Sequence, residues 1–201
     1  MTFEELGLMP RLVEQLAEQG IVDPTPIQVQ AIPHALRGED VMGLAQTGTG
    51  KTAAFGLPIM NHLLKVGSKP APKTVRGLIL APTRELAGQI KDNLLSYSQG
   101  THIKVNLVVG GLAIKAQINR LARGTDLLIA TPGRLIDLID RQAVDLSFTQ
   151  FLVLDEADQM LDLGFIHALR RIAPLLALER QTMLFSACLL YTSDAADELR
   201  S

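Results

Sequence analysis

Apolar residues follow two different rhythms along this chain. Compact apolar blocks occur at Val41 to Leu44 and near 77–81, 104–109, 126–130, 151–154 and 181–186. Between them, apolar residues return every three or four positions over 51–65, 84–97, 112–123, 133–140 and 162–177, with Pro174 placed to kink or divide the last stretch. A block that is apolar throughout predicts a strand buried on both faces, and a 3.6-residue period predicts an amphipathic helix. Their alternation predicts an α/β fold with a mostly parallel sheet and helices on both faces. Ahead of this pattern, Phe3, Leu6, Leu8, Leu12, Val13 and Leu16 stand at near-helical spacing, and Gly20 falls where a left-handed cap would close the helix. Pro24 and Pro26 then fix the backbone around Thr25, which can cap a helix running through Ile27, Ala31 and Ile32. Lys65 to Lys73, with Gly67, Ser68, Pro70 and Pro72, reads as an exposed flexible connector.

Composition narrows the picture. A chain of 201 residues, 47% hydrophobic and 20% charged, can bury one large core. The net charge of -2 excludes a strongly basic nucleic-acid binder, though not a groove that grips a few phosphates. The one cysteine, Cys188, has no partner within the chain, and His34, His62, His102 and His167 are too scattered for a metal-ligand spacing. The N-terminus lacks a signal-peptide pattern, and no apolar run approaches the ~18 residues of a membrane span. A reducing cytosol is the expected setting.

The turns after the apolar blocks carry the chemistry, because ligands of open parallel sheets bind at the carboxyl ends of the strands. Ala45-Gln46-Thr47-Gly48-Thr49-Gly50-Lys51-Thr52 links the block ending at Leu44 to a helical stretch. Gly48 and Gly50 let the backbone curl with its N–H groups toward a polyphosphate, and the helix behind adds its positive end. Lys51 would reach the outer phosphates and Thr52 would hold Mg²⁺. Ala45 stands where the general pattern has glycine, a position that needs only a small residue. The other strand ends lead into Pro82-Thr83-Arg84-Glu85-Leu86, Gly110-Gly111 and Thr131-Pro132-Gly133-Arg134. Each turn offers helix-start amides, and the first and third add a hydroxyl and a guanidinium, the parts that hold a sugar-phosphate backbone. Helix capping with solvated arginines accounts for any one of these turns alone; three on one sheet edge favour phosphate binding. The block Phe151 to Leu154 ends in Asp155-Glu156-Ala157-Asp158. There Asp155 would hold Mg²⁺, largely through water, and Glu156 would orient or deprotonate an attacking water, which is phosphoanhydride hydrolysis. Gln28 carries the amide donor and acceptor needed to read an adenine edge.

These motifs resemble those of the DEAD-box ATP-dependent RNA helicases, whose name Asp155 to Asp158 spells. From about residue 2 to 187 the chain looks like the first RecA-like P-loop domain of such an enzyme. The resemblance implies that Gly20 to Gln28 is a Q motif with Gln28 as adenine reader, and that Phe3 stacks on the base. It implies that residues 45–52 (motif I) bind nucleotide and that Asp155 to Asp158 (motif II) serve catalysis with Lys51. Pro82 to Leu86, Gly110-Gly111 and Thr131 to Arg134 are similar to motif Ia, the paired-glycine motif and motif Ib, which line the RNA path. Ser186-Ala187 match the start of motif III, which together with Asp158 couples the ATP state to unwinding. The run 159–167 looks most like the bacterial RhlE-type subgroup.

Cys188 departs from the threonine of motif III, and residues 188–201 do not resemble the family. They look like the conceptual translation of a transposase-end adapter used in sequencing libraries. The expected organisation is a Q-motif helical segment at 1–36, an ATP-binding RecA-like domain at 37–187 and a non-family tail at 188–201. The second RecA-like domain, which brings an arginine finger and half of the RNA groove in the family, has no counterpart in the sequence. The resemblance implies ATP and Mg²⁺ as cofactors, and RNA and a second RecA-like domain in the parent chain as partners, in a monomeric cytoplasmic protein without membrane contact. The two-domain parent would unwind or remodel RNA duplexes, while this chain alone would bind adenine nucleotide weakly, bind RNA poorly and turn over ATP very slowly. Two other readings stand beside this one. A P-loop ATPase acting on DNA or protein is disfavoured by Gln28, Phe3 and the literal Asp-Glu-Ala-Asp. A stand-alone ATP-gated RNA clamp without helicase activity is disfavoured by intact Lys51, Thr52, Asp155 and Glu156.

Overall fold

The computed structural model describes residues 1–187, so the expectation for the tail at 188–201 lies outside the described residues. Six strands, β1 (Val41–Leu44), β2 (Val75–Leu80), β3 (Val105–Val108), β4 (Thr125–Ala130), β5 (Phe151–Leu154) and β6 (Gln181–Ser186), form one parallel sheet in the order β1-β6-β5-β2-β4-β3. Around it run the helices α1 (Pro10–Glu18), α2 (Pro26–Leu36), α3 (Lys51–Val66), α4 (Arg84–Tyr97), α5 (Ile114–Leu121), α6 (Pro132–Asp140), α7 (Ala157–Asp162) and α8 (Ile166–Ile172).

Every residue of β2 and β4 is buried, because successive side chains point to opposite faces and both faces are covered. Ile79, Leu127, Ile129, Val153 and Phe185 join one apolar cluster with α1 to α4, while Leu78, Leu80, Leu128, Leu152, Leu154 and Leu184 join a second with α6, α7 and α8. The predicted strand-helix alternation is therefore present. The first 36 residues share the first cluster, with Leu12, Leu16 and Ile32 fully buried and the Met9 N–H donating to Asn61 Oδ1 at 2.9 Å. No helix among the described residues is long and apolar enough to cross a membrane.

Three elements differ from expectation. β2 begins at Val75, ahead of 77, because Arg76 interrupts the apolar run in sequence yet is buried in the fold. Its Nη1 lies 3.1 Å from Asp126 Oδ1 and donates to the Ser68 carbonyl at 2.6 Å, which also pins the connector expected to be flexible. The helix expected over 162–177 is present as α8 and a 3₁₀ turn at Ala173–Leu175, which Pro174 opens where a kink or division was expected, and a separate short helix, α7, precedes it at Ala157–Asp162. Gly164, at φ +79°, adopts the left-handed conformation that ends α7, and the Phe165 N–H closes back on the Met160 carbonyl at 3.0 Å. At the N-terminus, residues 3–7 form turns, and helix starts only at Pro10, whose fixed φ suits a first helical position.

Candidate nucleotide and nucleic-acid site

The strand ends are aligned. Leu184, Leu154, Leu80, Ala130 and Val108 pair across β6, β5, β2, β4 and β3, and Leu44 pairs with Ser186. The residue after four of the strands continues the ladder, with Ala45, Asp155, Ala81 and Thr131 N–H groups donating to Ser186, Leu80, Ala130 and Val108 at 3.0–3.2 Å. Each functional turn thus leaves the same edge from a fixed point. The strand order then sorts them: the phosphate loop follows β1, Ser186 ends β6 and Asp155 follows β5, whereas Thr83-Arg84, Thr131 to Arg134 and Gly110-Gly111 follow β2, β4 and β3.

In the first half, Gln46, Thr47, Lys51, Glu156, Asp158, Gln159 and Ala187 line one cleft of about 380 Å³. Thr49 Oγ1 donates to the Gln46 carbonyl at 2.7 Å, curling the loop, and Gly48 and Gly50 take φ of +82° and +88°. A side chain at Gly50 would overlap the Gln28 amide. Lys51 and Asp155 are 6% and 1% exposed, with Nζ 3.1 Å from Oδ1, and Nζ is 4.0 Å from Glu156 Oε1. Burial pushes the Asp155 carboxyl above the usual carboxylate range, while Lys51 and the Glu156 N–H, donating to Oδ1 at 3.0 Å, pull it back. Burial likewise raises Glu156, with Lys51 opposing. Glu156 sits at φ 52°, ψ 52°, a left-handed conformation that costs a glutamate free energy and marks the residue at the cleft.

Thr52 lies in the first turn of α3 and is half-buried. Thr52 and Asp155 offer one hydroxyl and one carboxylate, and no group of three or more His, Cys, Asp or Glu able to hold a metal occurs among the described residues. That donor set fits Mg²⁺, which takes one or two carboxylates with phosphates and water rather than an all-protein cage.

Gln28 is buried, and both ends of its amide are engaged. Its Oε1 accepts the Thr25 N–H at 2.9 Å and its Nε2 donates to the Gly50 carbonyl at 3.1 Å, while Thr25 Oγ1 donates to the Thr49 carbonyl at 2.9 Å. The candidate adenine reader is therefore clasped to the phosphate loop. Phe3 is 1% exposed inside the first apolar cluster, so its ring presents no face to a base in this conformation. Asp158 lines the cleft with Ala187, its Oδ1 buried without a hydrogen-bond partner among the described residues, and Ser186 is fully buried.

In the second half, Thr83 caps α4, its Oγ1 accepting the Leu86 N–H at 3.2 Å, and Pro82 is buried behind it. Arg84 is exposed, with its guanidinium against Gly111, and Gly110 is half-buried beside it. Thr131 is buried, Pro132 opens α6, and Gly133 is exposed. Arg134 Nη1 donates to the Leu112 carbonyl at 2.9 Å, and its Nε is 3.7 Å from Asp137. The two arginines from separate turns thus meet at one loop. Sequence reasoning passed over a third side chain at that loop, Gln117, whose Nε2 donates to the Val109 carbonyl at 3.1 Å. A lone glutamine in a helical stretch reads as solvated, and nothing in the sequence sets Gln117 apart from Gln89, Gln99 or Gln142.

A family model described as DEAD/DEAH box helicase matches residues 25–195. Two curated relatives from strains of Streptococcus pneumoniae, each named DEAD-box ATP-dependent RNA helicase CshA, are 46% identical over 187 residues, covering 93% of this chain. The chain spans about a third, 35%, of the length of those relatives. Among solved structures, the crystal structure of a DEAD box protein from the hyperthermophile Methanococcus jannaschii superposes with a TM-score of 0.88 at 33% identity, covering 98% of this chain and 53% of that one.

Proposed function

The chain belongs to the DEAD/DEAH box helicase family, and from that premise we propose that it is the ATP-binding half of an ATP-dependent RNA helicase whose intact form unwinds or remodels RNA duplexes. The observation that carries this reading is the division of one sheet edge into a phosphate-and-carboxylate half and a hydroxyl-and-arginine half.

In the first half, the amides of 45–52 and Lys51 hold the phosphates of ATP, Lys51 exchanging Asp155 for the nucleotide. Asp155 and Thr52 would hold Mg²⁺, which would neutralise charge on the phosphates. Glu156 positions the attacking water and takes its proton; the burial that raises its pKa makes it a better base. Gln28 reads adenine by releasing one of its two internal partners. In the second half, Pro82, Thr83, Arg84, Gly110, Gly111, Thr131, Pro132, Gly133 and Arg134 hold RNA by its sugar-phosphate backbone. Asp158, Ser186 and Ala187 belong to the first half, at the ends of β5 and β6, and couple the nucleotide to the RNA path. The parent chain carries a second RecA-like domain, acts as a monomer and works in the cytoplasm.

The test compares nucleic acids. ATP hydrolysis by the two-domain parent should rise with single-stranded RNA and stay near its basal rate with DNA of the same sequence. Equal stimulation by both would transfer the assignment to a general nucleic-acid ATPase.

A further inference from the structure

The loop at 109–112, between β3 and α5, is gripped from both sides. On its outer side the Arg84 guanidinium lies against Gly111 and Arg134 Nη1 donates to the Leu112 carbonyl at 2.9 Å. On its inner side, Gln117 of α5, only 2% exposed, donates from Nε2 to the Val109 carbonyl at 3.1 Å. The other end of that amide, Oε1, is buried with no hydrogen-bond partner among the described residues. Burying an unsatisfied amide oxygen costs free energy that an apolar side chain of the same size would not incur. The amide's single contribution here is therefore its bond to the loop.

We propose that Gln117 is a positioning residue for RNA binding: by holding the Val109 carbonyl from within the fold, it sets the height of the 109–112 loop, against which Arg84 lies at Gly111 and Arg134 at Leu112. It touches neither nucleotide nor RNA. The inference rests on the RNA-path reading above. That reading places the RNA backbone across the turn, so a turn free to shift carries both arginines with it. A glutamine buried behind the loop sets the geometry without competing for phosphate, whereas Arg84 and Arg134 must leave their loop contacts to reach one.

Two substitutions in this chain test the proposal. Gln117→Met keeps the volume and removes the donor; Gln117→Glu removes the donor when ionised and restores it when protonated. Hydrogen exchange of the 109–112 amides should quicken in Gln117→Met, and anisotropy titration with fluorescein-labelled oligouridylate at low salt should show binding weakened roughly three- to tenfold, what one hydrogen bond is worth. ADP affinity should be unchanged. The Gln117→Glu variant should bind oligouridylate weakly at alkaline pH and recover toward wild type as pH falls, because a protonated carboxyl can donate to Val109 where a carboxylate cannot. Wild-type exchange and binding in Gln117→Met would overturn the proposal, provided Arg84→Ala weakens binding. If Arg84→Ala also leaves binding unchanged, the RNA-path reading itself fails. Parallel loss of ADP and oligouridylate binding, with no recovery in Gln117→Glu at low pH, would assign Gln117 a general structural role and overturn the proposal as well.

Discussion

At the scale of single residues, the centre of the site is a buried cation between two carboxylates that burial makes reluctant to ionise. The folded-state pKa values of Asp155 and Glu156 lie above their unfolded ones, so the folded chain binds protons more tightly than the unfolded chain. Stability from these two sites is full below the ordinary carboxylate pKa and falls as pH rises through the raised values. Lys51 opposes that fall. Above the raised values it faces ionised partners; below them it is a buried ammonium without a counter-ion. Lys51→Met should therefore lower Tm at a pH above the raised carboxylate values and lower it less, or not at all, at a pH below them, where both carboxyls carry protons. Scanning fluorimetry at the two pH values reads this, and a pH-independent difference would show that the 3.1 Å pair contributes nothing in solution. The same substitution should abolish ATP binding, measured by calorimetry, because the charge that meets the phosphates is gone. Glu156→Gln separates binding from chemistry: in the two-domain parent, ATP affinity should persist while turnover falls by about 10²–10⁴, the usual worth of a general base. Unchanged turnover would favour a non-catalytic clamp. Gln28→Ala should relax the preference for ATP over GTP, and an unchanged ratio of the two affinities would remove Gln28 from adenine recognition.

At the scale of elements, the helices position the turns, and their fit to one another can be probed. α3 carries the phosphate loop at its start and packs on α4, which carries Arg84 at its start. The contact is close at Gly56, where an added Cβ would overlap Leu94 Cδ2. Gly56→Ala should cost about 1–3 kcal/mol by overpacking. Adding Leu94→Ala should make the double variant less destabilised than the sum of the two single changes, and strict additivity in urea unfolding would mean the helices do not share that contact. Much of this architecture was legible from the chain. The apolar blocks located all six strands, and the glycine-rich loop and Asp155-Glu156 fell at strand ends as parallel topology requires. What was hidden depended on side chains that violate local rules. Arg76 masked the start of β2 because its charge is neutralised by Asp126, far away in sequence. The short helix α7, ended at Gly164, lies ahead of the helical stretch expected from 162, because the acidic strand end masks its start. Phe3 carries a family role in sequence but is committed to the core in the fold. Neither the strand order nor the meeting of Arg84, Arg134 and Gln117 at one loop can be read from spacing, because both come from pairing between distant segments.

At the scale of the whole molecule, the layout of the site predicts what this chain cannot do alone. The cleft lined by Lys51, Glu156 and Ala187 and the turns that carry Arg84, Gly111 and Arg134 open on the same sheet edge, and both are contributed by one domain. Among the described residues near that cleft, Lys51 is the cation within 4.0 Å of Glu156, and the proposed function assigns it to the ground-state phosphates. Charge that develops in the transition state needs a further cation, and where an arginine supplies it in other nucleotide hydrolases the gain is about 10³–10⁵ in rate. The chain spans 35% of the length of its curated relatives, and in the proposed two-domain parent the second domain would bring such a group. ATP hydrolysis by the isolated chain is accordingly expected to be slower than that of the two-domain parent by a factor in that range, and nearly insensitive to RNA. ATP binding should be retained within about tenfold, because the phosphate loop, Asp155 and Gln28 all reside here and each tenfold step is only about 1.4 kcal/mol. Comparing single-turnover hydrolysis with equilibrium ATP binding for both forms checks this. If the chain alone hydrolysed ATP at the parental rate, the cleft would be catalytically complete, and the role given to a second domain would reduce to gripping RNA.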